Sequence, residues 1–291
     1  MGPESDDETG ASMRVLVTGA SGNIGAELVR LLAGAGHQVS AVTRHPATAS
    51  LPAGVDGVAA DLTDPASLRP AWAGVTGLFL MPGYPATPEL LADAAAAGVT
   101  RMVLLSGSSA GDPESTNAIA RYQSVTEAQV RASGLAATIL RPSGFMSNAL
   151  EWAAQLRSGD VVEGPFGNVR IAVIDPYDIA SVAATALLAD DDRHAGRVYR
   201  LSGPEALLPA DRVAVLADVL SRPLRFRAQS DDEAYELMSK QMPVEYVEAF
   251  FDFYVRGTLD ESPVFDTVAE VTGRPPRTFR EWAQAHAAAF R

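Results

Sequence analysis

The sequence contains no cysteine and a single lysine, Lys240. The lack of cysteine excludes disulfides, thiolate zinc sites and a cysteine nucleophile, and it is typical of cytoplasmic proteins. No apolar run approaches the ~20 residues that a membrane span requires, and the acidic first residues are unlike a secretory leader, so association with a membrane is not expected. The formal net charge of −13 argues against direct binding of nucleic acid, because phosphate neutralisation needs clustered basic residues.

The chain has 291 residues, 47% of them hydrophobic, which is enough for one large core or for a core and a smaller lobe. Residues 1–12 are polar and acidic, and we expect a disordered N-terminal extension there. From Met13 onward, short apolar runs alternate with segments of helical periodicity, which predicts a doubly wound α/β fold with a parallel sheet. The predicted strands are 13–18, 38–43, 56–60, 77–81, 101–106 and 136–141, with helices over 23–35, 65–73, 87–97 and 114–133.

The strongest local signal is the glycine-rich segment Thr18–Gly25, between the first predicted strand and the first predicted helix. There, one glycine permits a tight turn, the next lets the backbone approach a pyrophosphate, and the third allows close packing of helix and strand. Free amides and the positive end of the helix dipole then face the anion. The segment predicts dinucleotide binding; the alternative is an ordinary strand-to-helix turn. The expected contacts are Gly19, Ser21, Gly22, Asn23, Ile24 and Gly25.

The pattern is less regular after Pro142. It predicts a helix over 146–157, a short strand pair within 161–174, a helix over 176–189, a strand over 197–201, and then helices over 209–221, 230–240, 243–256, 264–272 and 278–290. We therefore predict two domains. The dinucleotide-binding domain would comprise 13–155 and 171–202, and a smaller, mainly helical substrate-binding lobe would comprise 156–170 and 203–291.

The ends of the next strands indicate which dinucleotide is preferred. NAD-binding proteins usually have an acidic residue after the second strand, for the ribose 2′-hydroxyl, whereas this strand is followed by Arg44 with no acid nearby. A guanidinium suits a 2′-phosphate, so we expect NADP(H); the alternative is a solvated arginine. After the third strand, Asp61 and Leu62 are expected to contact the adenine, unless Asp61 caps a helix. Met81 and Pro82, after the fourth strand, should line the cofactor crevice.

Several motifs occur in a fixed order along the chain: Thr18–Gly25, Ser133–Leu135, Thr138–Pro142, Phe145–Asn148, Leu201–Glu205 and Thr272–Phe279. With them, the sequence resembles the NmrA-like atypical short-chain dehydrogenase/reductases, in the subgroup of NAD(P)H:quinone oxidoreductases, over nearly its whole length. The resemblance implies a Rossmann fold and NADP(H) binding. It also implies either the reduction of quinones and ketones or cofactor sensing without chemistry.

The wider superfamily reduces carbonyls with a tyrosine and a lysine, in the motif Y-x-x-x-K on the helix after the fifth strand. The tyrosine donates a proton to the carbonyl oxygen that gains charge during hydride transfer. Here the two positions fall at Ile119 and Gln123, so the dyad is missing, and Gln123 can form hydrogen bonds but cannot act as an acid. Tyr122 is a substitute donor if it points into the site, and otherwise a packing residue. Ser106 and Ser108 are expected to bind a substrate oxygen, with loop capping as the alternative.

The remaining candidates surround the expected position of the nicotinamide. Tyr84 is expected to reach the substrate from the loop after the fourth strand, with a surface aromatic as the alternative. Phe145 and Asn148, after the sixth strand, complete the expected substrate site, and Ser106 and Pro142 are expected to contact the cofactor. The histidines have no acidic partners at metal-ligand spacing, so no metal site is expected.

Together, these features predict an NADPH-dependent reductase of a quinone or a (poly)cyclic ketone that lacks the usual dyad. Its substrate would be a small aromatic or polycyclic molecule, placed for hydride transfer chiefly by proximity and orientation. The alternative is an NADP(H)-sensing regulatory protein that acts through a protein partner without turnover; an epimerase or cyclase has no residue in its support. The aromatic run Phe250–Tyr254 is expected to be core, with a substrate lid or a homodimer face as the alternatives.

Overall fold

The computed structural model describes residues 12–291, apart from the side chain of Thr48. The strands are β1 (Arg14–Val17), β2 (Gln38–Thr43), β3 (Asp56–Ala59), β4 (Gly77–Leu80), β5 (Arg101–Leu105), β6 (Ala137–Pro142), β7 (Val161–Gly164), β8 (Val198–Leu201) and β9 (Arg225–Ala228). Seven of them form one parallel sheet in the order β3-β2-β1-β4-β5-β6-β8. The predicted doubly wound α/β fold is confirmed. The extension expected over residues 1–12 lies outside the described residues, apart from Ser12.

The α-helices of the described residues are α1 (Asn23–Gly34), α2 (Thr87–Ala96), α3 (Ala118–Ala132), α4 (Ala153–Ser158), α5 (Pro176–Leu188), α6 (Pro209–Leu220), α7 (Asp231–Ser239), α8 (Val244–Tyr254), α9 (Thr267–Thr272) and α10 (Phe279–Ala285). Some of them cover the two faces of the seven-stranded sheet. Because side chains alternate along a strand, Val15 and Val17 join the core beneath α1, α5 and α9, while Leu16 joins the core beneath α2 and α3. Burial on both faces explains why the central strands β1, β4 and β5 are nearly continuous apolar runs.

The strand order reverses between β1 and β4, and α/β folds bind ligands at the carboxyl ends of strands at such a point. Thr18 fixes the geometry there. Its amide and its hydroxyl both donate to the carbonyl oxygen of Phe79, each at 3.0 Å, and its hydroxyl accepts from the Met81 amide at 3.0 Å. These bonds hold the carboxyl ends of β1 and β4 together and define one wall of a crevice.

A second core lies beyond the main sheet. It includes Phe279 and Trp282 of α10, whose rings stack at 5.4 Å, together with apolar residues of α4 and α6. β7 and β9 form a separate parallel pair, and α6 packs against β9. The predicted boundaries between a dinucleotide-binding domain and a substrate-binding lobe stay a prediction.

Two predicted helices before residue 135 differ from the structure. The segment 65–73 forms a 3-10 helix, Pro65–Trp72, because Pro70 lacks the amide that an α-helix would use there. The helix expected over 114–133 begins only at Ala118, since the Asn117 side chain accepts two amides of its first turn and so caps it. Both differences concern local backbone chemistry rather than hydrophobic periodicity.

The predicted strand pair within 161–174 is wrong. β7 pairs instead with β9, and Ile171 and Ile174 form only isolated bridges, with Leu207 and Phe145 respectively. Periodicity alone cannot reveal such distant pairing. Other boundaries also move: Met146–Trp152 is a 3-10 helix before α4, α9 begins at Thr267, and the last predicted helix divides into α10 and the 3-10 helix Ala287–Phe290.

Candidate active site

The turn between β1 and α1 is shaped by close backbone approach. Gly19 has a φ of +62°, and a Cβ there would overlap the Met81 sulfur. A Cβ on Gly25 would overlap the Gly19 carbonyl oxygen and lie 2.7 Å from its carbonyl carbon. The Gly22 amide donates to the same Gly19 oxygen at 2.9 Å. The turn therefore requires glycine at positions 19 and 25 for its own shape.

This turn presents unpaired backbone donors. Gly22 is the N-cap of α1 and has no side chain to accept them, and the first turn of α1 contains no acidic residue. The first amide to bond within the helix is that of Ala26, to Gly22 at 2.9 Å. Ser21 and Asn23 are exposed, whereas Ile24 is buried, so Ile24 can contact a ligand only through its backbone. The β1–α1 turn therefore combines backbone that a Cβ would obstruct with the unpaired amides at the N-terminus of α1. This combination fits the pyrophosphate of a dinucleotide.

Arg44 and Asp61 follow the neighbouring strands β2 and β3. Hydrogen bonds from the Thr63 amide and hydroxyl hold the pKa of Asp61 below its usual value, with a smaller contribution from the nearby Arg44 guanidinium. Within residues 12–291, Arg44 is exposed and forms no hydrogen bond or salt bridge. Asp64, and not Asp61, caps the 3-10 helix that follows. Leu62 is buried in the core, so only its backbone could face an adenine.

The other expected cofactor contacts lie along the crevice. Met81 and Pro82 are half-buried after β4, and the Met81 sulfur lies directly over Gly19. Pro142 is buried at the end of β6, and its carbonyl oxygen accepts the Ser108 amide at 3.0 Å. The loops after β4, β5 and β6 therefore lie at the same end of the sheet, where their strands have their carboxyl ends.

Ser106 is buried at the end of β5 and belongs to an ionic network. Its hydroxyl donates to Glu127 at 2.6 Å, and Glu127 also accepts two hydrogen bonds from Arg141, at 2.8 and 2.7 Å, and one from Arg131 at 2.8 Å. Burial raises the pKa of Glu127, but these hydrogen bonds outweigh it and the pKa is lowered. The Ser106 hydrogen is thus committed to a carboxylate, which leaves its hydroxyl oxygen only as an acceptor.

Ser108 has a comparable partner from the C-terminal part of the chain. Its hydroxyl donates at 2.5 Å to Glu261, a residue only 7% exposed. The Tyr254 hydroxyl donates to the other oxygen of that carboxylate at 2.7 Å. Burial, and then the neighbouring Glu261, raise the pKa of Tyr254. A Cβ on Gly144 would lie 3.9 Å from the same carboxylate, which places Glu261 beside the loop after β6.

Tyr122 and Gln123 approach the crevice from α3. A Cβ on Gly83 would lie 3.4 Å from the Tyr122 ring, and Gln123 packs tightly against Gly107 and accepts the Ser109 hydroxyl at 2.8 Å. Burial raises the pKa of Tyr122, although the Gln123 amide opposes this, so the phenol is protonated at neutral pH. In the part of the chain that the structure describes, this phenol donates to no protein acceptor.

The three expected substrate contacts lie in different surroundings. Tyr84 is half-buried and packs on the core beneath α2 and α3, which gives it a packing role. Phe145 is half-buried against the opposite core, and Asn148 is exposed in the 3-10 helix that follows β6. The structure thus places Phe145 and Asn148 after the same strand as Pro142, while Tyr84 comes from the loop after β4.

Sequence reasoning missed the groups that the C-terminal part contributes. Glu261 bonds Ser108 across 153 positions of sequence, a separation that no spacing motif reveals. Arg212 on α6 was also not singled out. The aromatic run was noted, and the structure buries Phe251 and Phe253, while the Tyr254 ring lies 5.1 Å from that of Phe166.

Residues 12–291 contain no helix that is long and apolar enough to cross a membrane. Over the same range, no group of three or more histidine, aspartate or glutamate side chains could hold a metal ion. His194 faces the Tyr199 hydroxyl at 2.8 Å, and burial lowers the pKa of this histidine.

Residues 19–190 match a family model described as NAD(P)H-binding, and the chain belongs to this NAD(P)H-binding family. It is 40% identical over 281 residues to a (4-alkanoyl-5-oxo-2,5-dihydrofuran-3-yl)methyl phosphate reductase of Streptomyces griseus subsp. griseus, covering 95% of this chain and 99% of the relative. It is 37% identical over 287 residues to an NAD(P)H azoreductase of Xenophilus azovorans, covering 95% and 99%. The structure of an NADPH-dependent quinone oxidoreductase from Escherichia coli, complexed with NADPH, is similar with a TM-score of 0.77 at 26% identity, covering 95% of this chain and 100% of that one.

These similarities confirm the resemblance to the NmrA-like atypical short-chain dehydrogenase/reductases. The protein is an NAD(P)-dependent oxidoreductase with an NAD(P)H cofactor and a small-molecule substrate. The part of Arg44 in selecting the phosphorylated cofactor, the individual site residues, a cytoplasmic location and a homodimer stay predictions.

Proposed function

We propose that this reductase uses NADPH to reduce a quinone or a (poly)cyclic ketone whose carbonyl group is conjugated. The observation that carries the proposal is that the chain has no lysine to serve as the partner of a catalytic tyrosine. The only lysine of the chain, Lys240, bonds Glu236 at 2.6 Å at the exposed end of α7. No lysine ammonium is therefore available to lower the pKa of a phenol at the crevice.

A conjugated acceptor suits such a site. When bound, the reduced nicotinamide supplies a hydride. In an isolated ketone, the resulting negative charge is concentrated on one oxygen and needs a positioned general acid nearby. In a quinone or an unsaturated ketone the charge spreads over the conjugated system, so a neutral hydrogen-bond donor is sufficient. Azo compounds and an acyl dihydrofuranone, the substrate classes in the names of two relatives, are also conjugated acceptors.

We assign this neutral donor role to Tyr122. Its phenol is protonated at neutral pH, its ring packs against Gly83 in the loop after β4, and its hydrogen has no protein acceptor among the described residues. Gln123 holds the adjacent side of the crevice, because its amide is fixed between Ser109 and Gly107. Both residues would orient the substrate oxygen and would exclude water from the reacting face.

The test is a comparison of acceptors. Purified protein is mixed with NADPH and a panel of naphthoquinones, cyclic unsaturated ketones and saturated cyclic ketones, and loss of the reduced-nicotinamide absorbance is followed. We expect kcat/KM to fall in that order. A preference for saturated ketones would refute the role of conjugation. Tight NADPH binding without turnover of any acceptor would instead support the cofactor sensor.

A further inference from the structure

Arg212 is a buried arginine that has no acidic partner among the described residues. It lies on α6 and is 8% exposed, and its Nε is buried with no hydrogen-bond partner. Across residues 12–291, its guanidinium forms no hydrogen bond and no salt bridge. Buried arginines are normally paired, because removing a charge from water is strongly unfavourable. The adjacent exposed arginine, Arg170, shows the usual arrangement, with Asp211 at 3.4 Å.

The surroundings of Arg212 are aromatic. The guanidinium carbon lies 5.3 Å from the centre of the Trp152 ring. Burial lowers the pKa of Arg212 to about 10, a change that the nearby Tyr254 opposes, so the side chain remains cationic at neutral pH. Tyr254 bonds Glu261, which bonds Ser108 in the loop after β5. Arg212 therefore lies near Tyr254, the first member of a hydrogen-bonded chain that reaches the loop after β5 through Glu261.

Phe166 is a residue with a strained backbone among these aromatic side chains. It has a φ of +56°, a conformation that is unfavourable for a bulky side chain, and its ring lies 5.1 Å from Tyr254 and 5.5 Å from Phe251. Strain of this kind persists where the surrounding structure fixes it, and it is concentrated at binding sites. The aromatic rings and the unpaired cation thus occur together near the hydrogen bonds that join Tyr254 to Glu261 and Glu261 to Ser108.

We propose that Arg212 binds an oxyanion, a phosphate monoester or a carboxylate, carried by the substrate at a distance from its reducible group. The proposal rests on the reductase function proposed above and names its substrate class as anionic and aromatic. The planar guanidinium would form paired hydrogen bonds with the oxyanion. The flat part of the substrate would contact Trp152, Tyr254 and Phe166. Glu261 does not satisfy the guanidinium, because no hydrogen bond or salt bridge joins the two side chains within residues 12–291, and its oxygens accept instead from Ser108 and Tyr254.

The first test compares two naphthoquinones that differ only in a side-chain carboxylate. In Arg212→Met, which preserves length and removes charge, we expect KM for the anionic quinone to rise roughly 10- to 100-fold. KM for the neutral quinone should change less than about twofold, within ordinary variation for an uninvolved residue. Arg170→Met is the matched control for general loss of positive charge and should leave both values unchanged. Equal effects of Arg212→Met on both quinones would overturn the proposal.

A second test does not need turnover and so separates this inference from the proposed function. With NADP+ saturating, naphthyl phosphate, naphthoate and uncharged naphthol are titrated by calorimetry. Wild-type protein should bind one or both anions at least roughly tenfold more tightly than naphthol, and Arg212→Met should lose this difference. Comparison of the two anions identifies the preferred oxyanion. No preference for either anion in the wild type would overturn the proposal even if quinones are reduced.

Stability supplies the third readout. An unpaired buried charge destabilises the protein without its ligand, so Arg212→Met should melt at or above the temperature of the wild type when substrate is absent. If Arg212 were a structural residue held by Trp152, the variant would melt several degrees lower, and the proposal would be refuted.

Discussion

Replacing Gly25 by alanine should abolish tight NADPH binding while the helix that carries it remains intact. The added Cβ would lie 2.7 Å from the Gly19 carbonyl carbon and 3.0 Å from the Ala20 Cα. Carbon atoms normally approach to about 3.5–4.0 Å, so the turn would have to move by roughly 1 Å. Because the obstructing atoms are backbone, no side-chain rotation can relieve the overlap.

The expected loss follows from the hydrogen bonds that this movement disrupts. Each bond from a backbone amide to a charged phosphate oxygen contributes about 1.5–3 kcal/mol. Loss of one or two of them raises the dissociation constant by roughly 10-fold to more than 100-fold. Calorimetric titration with NADPH measures this directly, and thermal melting without ligand shows whether the variant is folded.

Gly34 on the same helix provides the matched control. An added Cβ there would meet nothing within 4 Å, so Gly34→Ala should keep the wild-type affinity and gain about 0.4–1 kcal/mol in stability. If Gly25→Ala bound NADPH as tightly as Gly34→Ala, the inference that this turn holds the pyrophosphate would be refuted.

Three further predictions concern other parts of the site. Arg44→Ala should weaken NADPH binding roughly 10- to 100-fold and NADH binding little, because only NADPH has the 2′-phosphate; equal losses in calorimetry would contradict the assignment. Glu127→Gln should lower the free energy of unfolding by about 3–5 kcal/mol at pH 7, as measured by urea denaturation. The pKa of Glu127 is lowered on folding, so ionised Glu127 stabilises the folded protein at any pH above its ordinary pKa of 4.5. This contribution to the free energy of unfolding is lost as the pH falls through the folded-state pKa, and Glu127→Gln should not show that loss. Tyr122→Phe should reduce kcat for a naphthoquinone by less than the roughly 10²–10⁴-fold of a lost general acid, whereas Tyr235→Phe, which removes a hydroxyl bonded to Glu248 on the surface, should leave kcat unchanged.

The β–α units and the glycine turn could be predicted because their signals are local. Val15–Val17 is an apolar run buried on both faces, and a Cβ on Gly19 or Gly25 would overlap the Met81 sulfur or the Gly19 carbonyl group respectively. Pro70 was equally visible, and its effect on the predicted helix over 65–73 could have been anticipated from its missing amide. Local chemistry therefore sufficed for the glycine turn, the part of the candidate site that is expected to face the pyrophosphate.

The side of the site away from the pyrophosphate depends on pairings that the sequence does not encode locally. Ser108 and Glu261 meet only after the C-terminal part has folded over the ends of β5 and β6. Arg212 has ordinary helical neighbours in sequence, and only its burial without a partner marks it as unusual. The position of Ser106 after β5 indicated a catalytic hydroxyl. The buried carboxylate that accepts its hydrogen bond belongs to Glu127, which lies 21 positions away on α3.

The pairing of β7 with β9 has a consequence for biosynthesis. The two strands are parallel and their paired residues, such as Glu163 and Arg227, are 64 positions apart, so no tight hairpin can nucleate them. During synthesis on the ribosome, the backbone groups of Val161–Gly164 that pair with β9 have no partner until Ala228 has been made. Unpaired strand edges of this kind promote aggregation. We expect slow loop closure at this step to limit the folding rate.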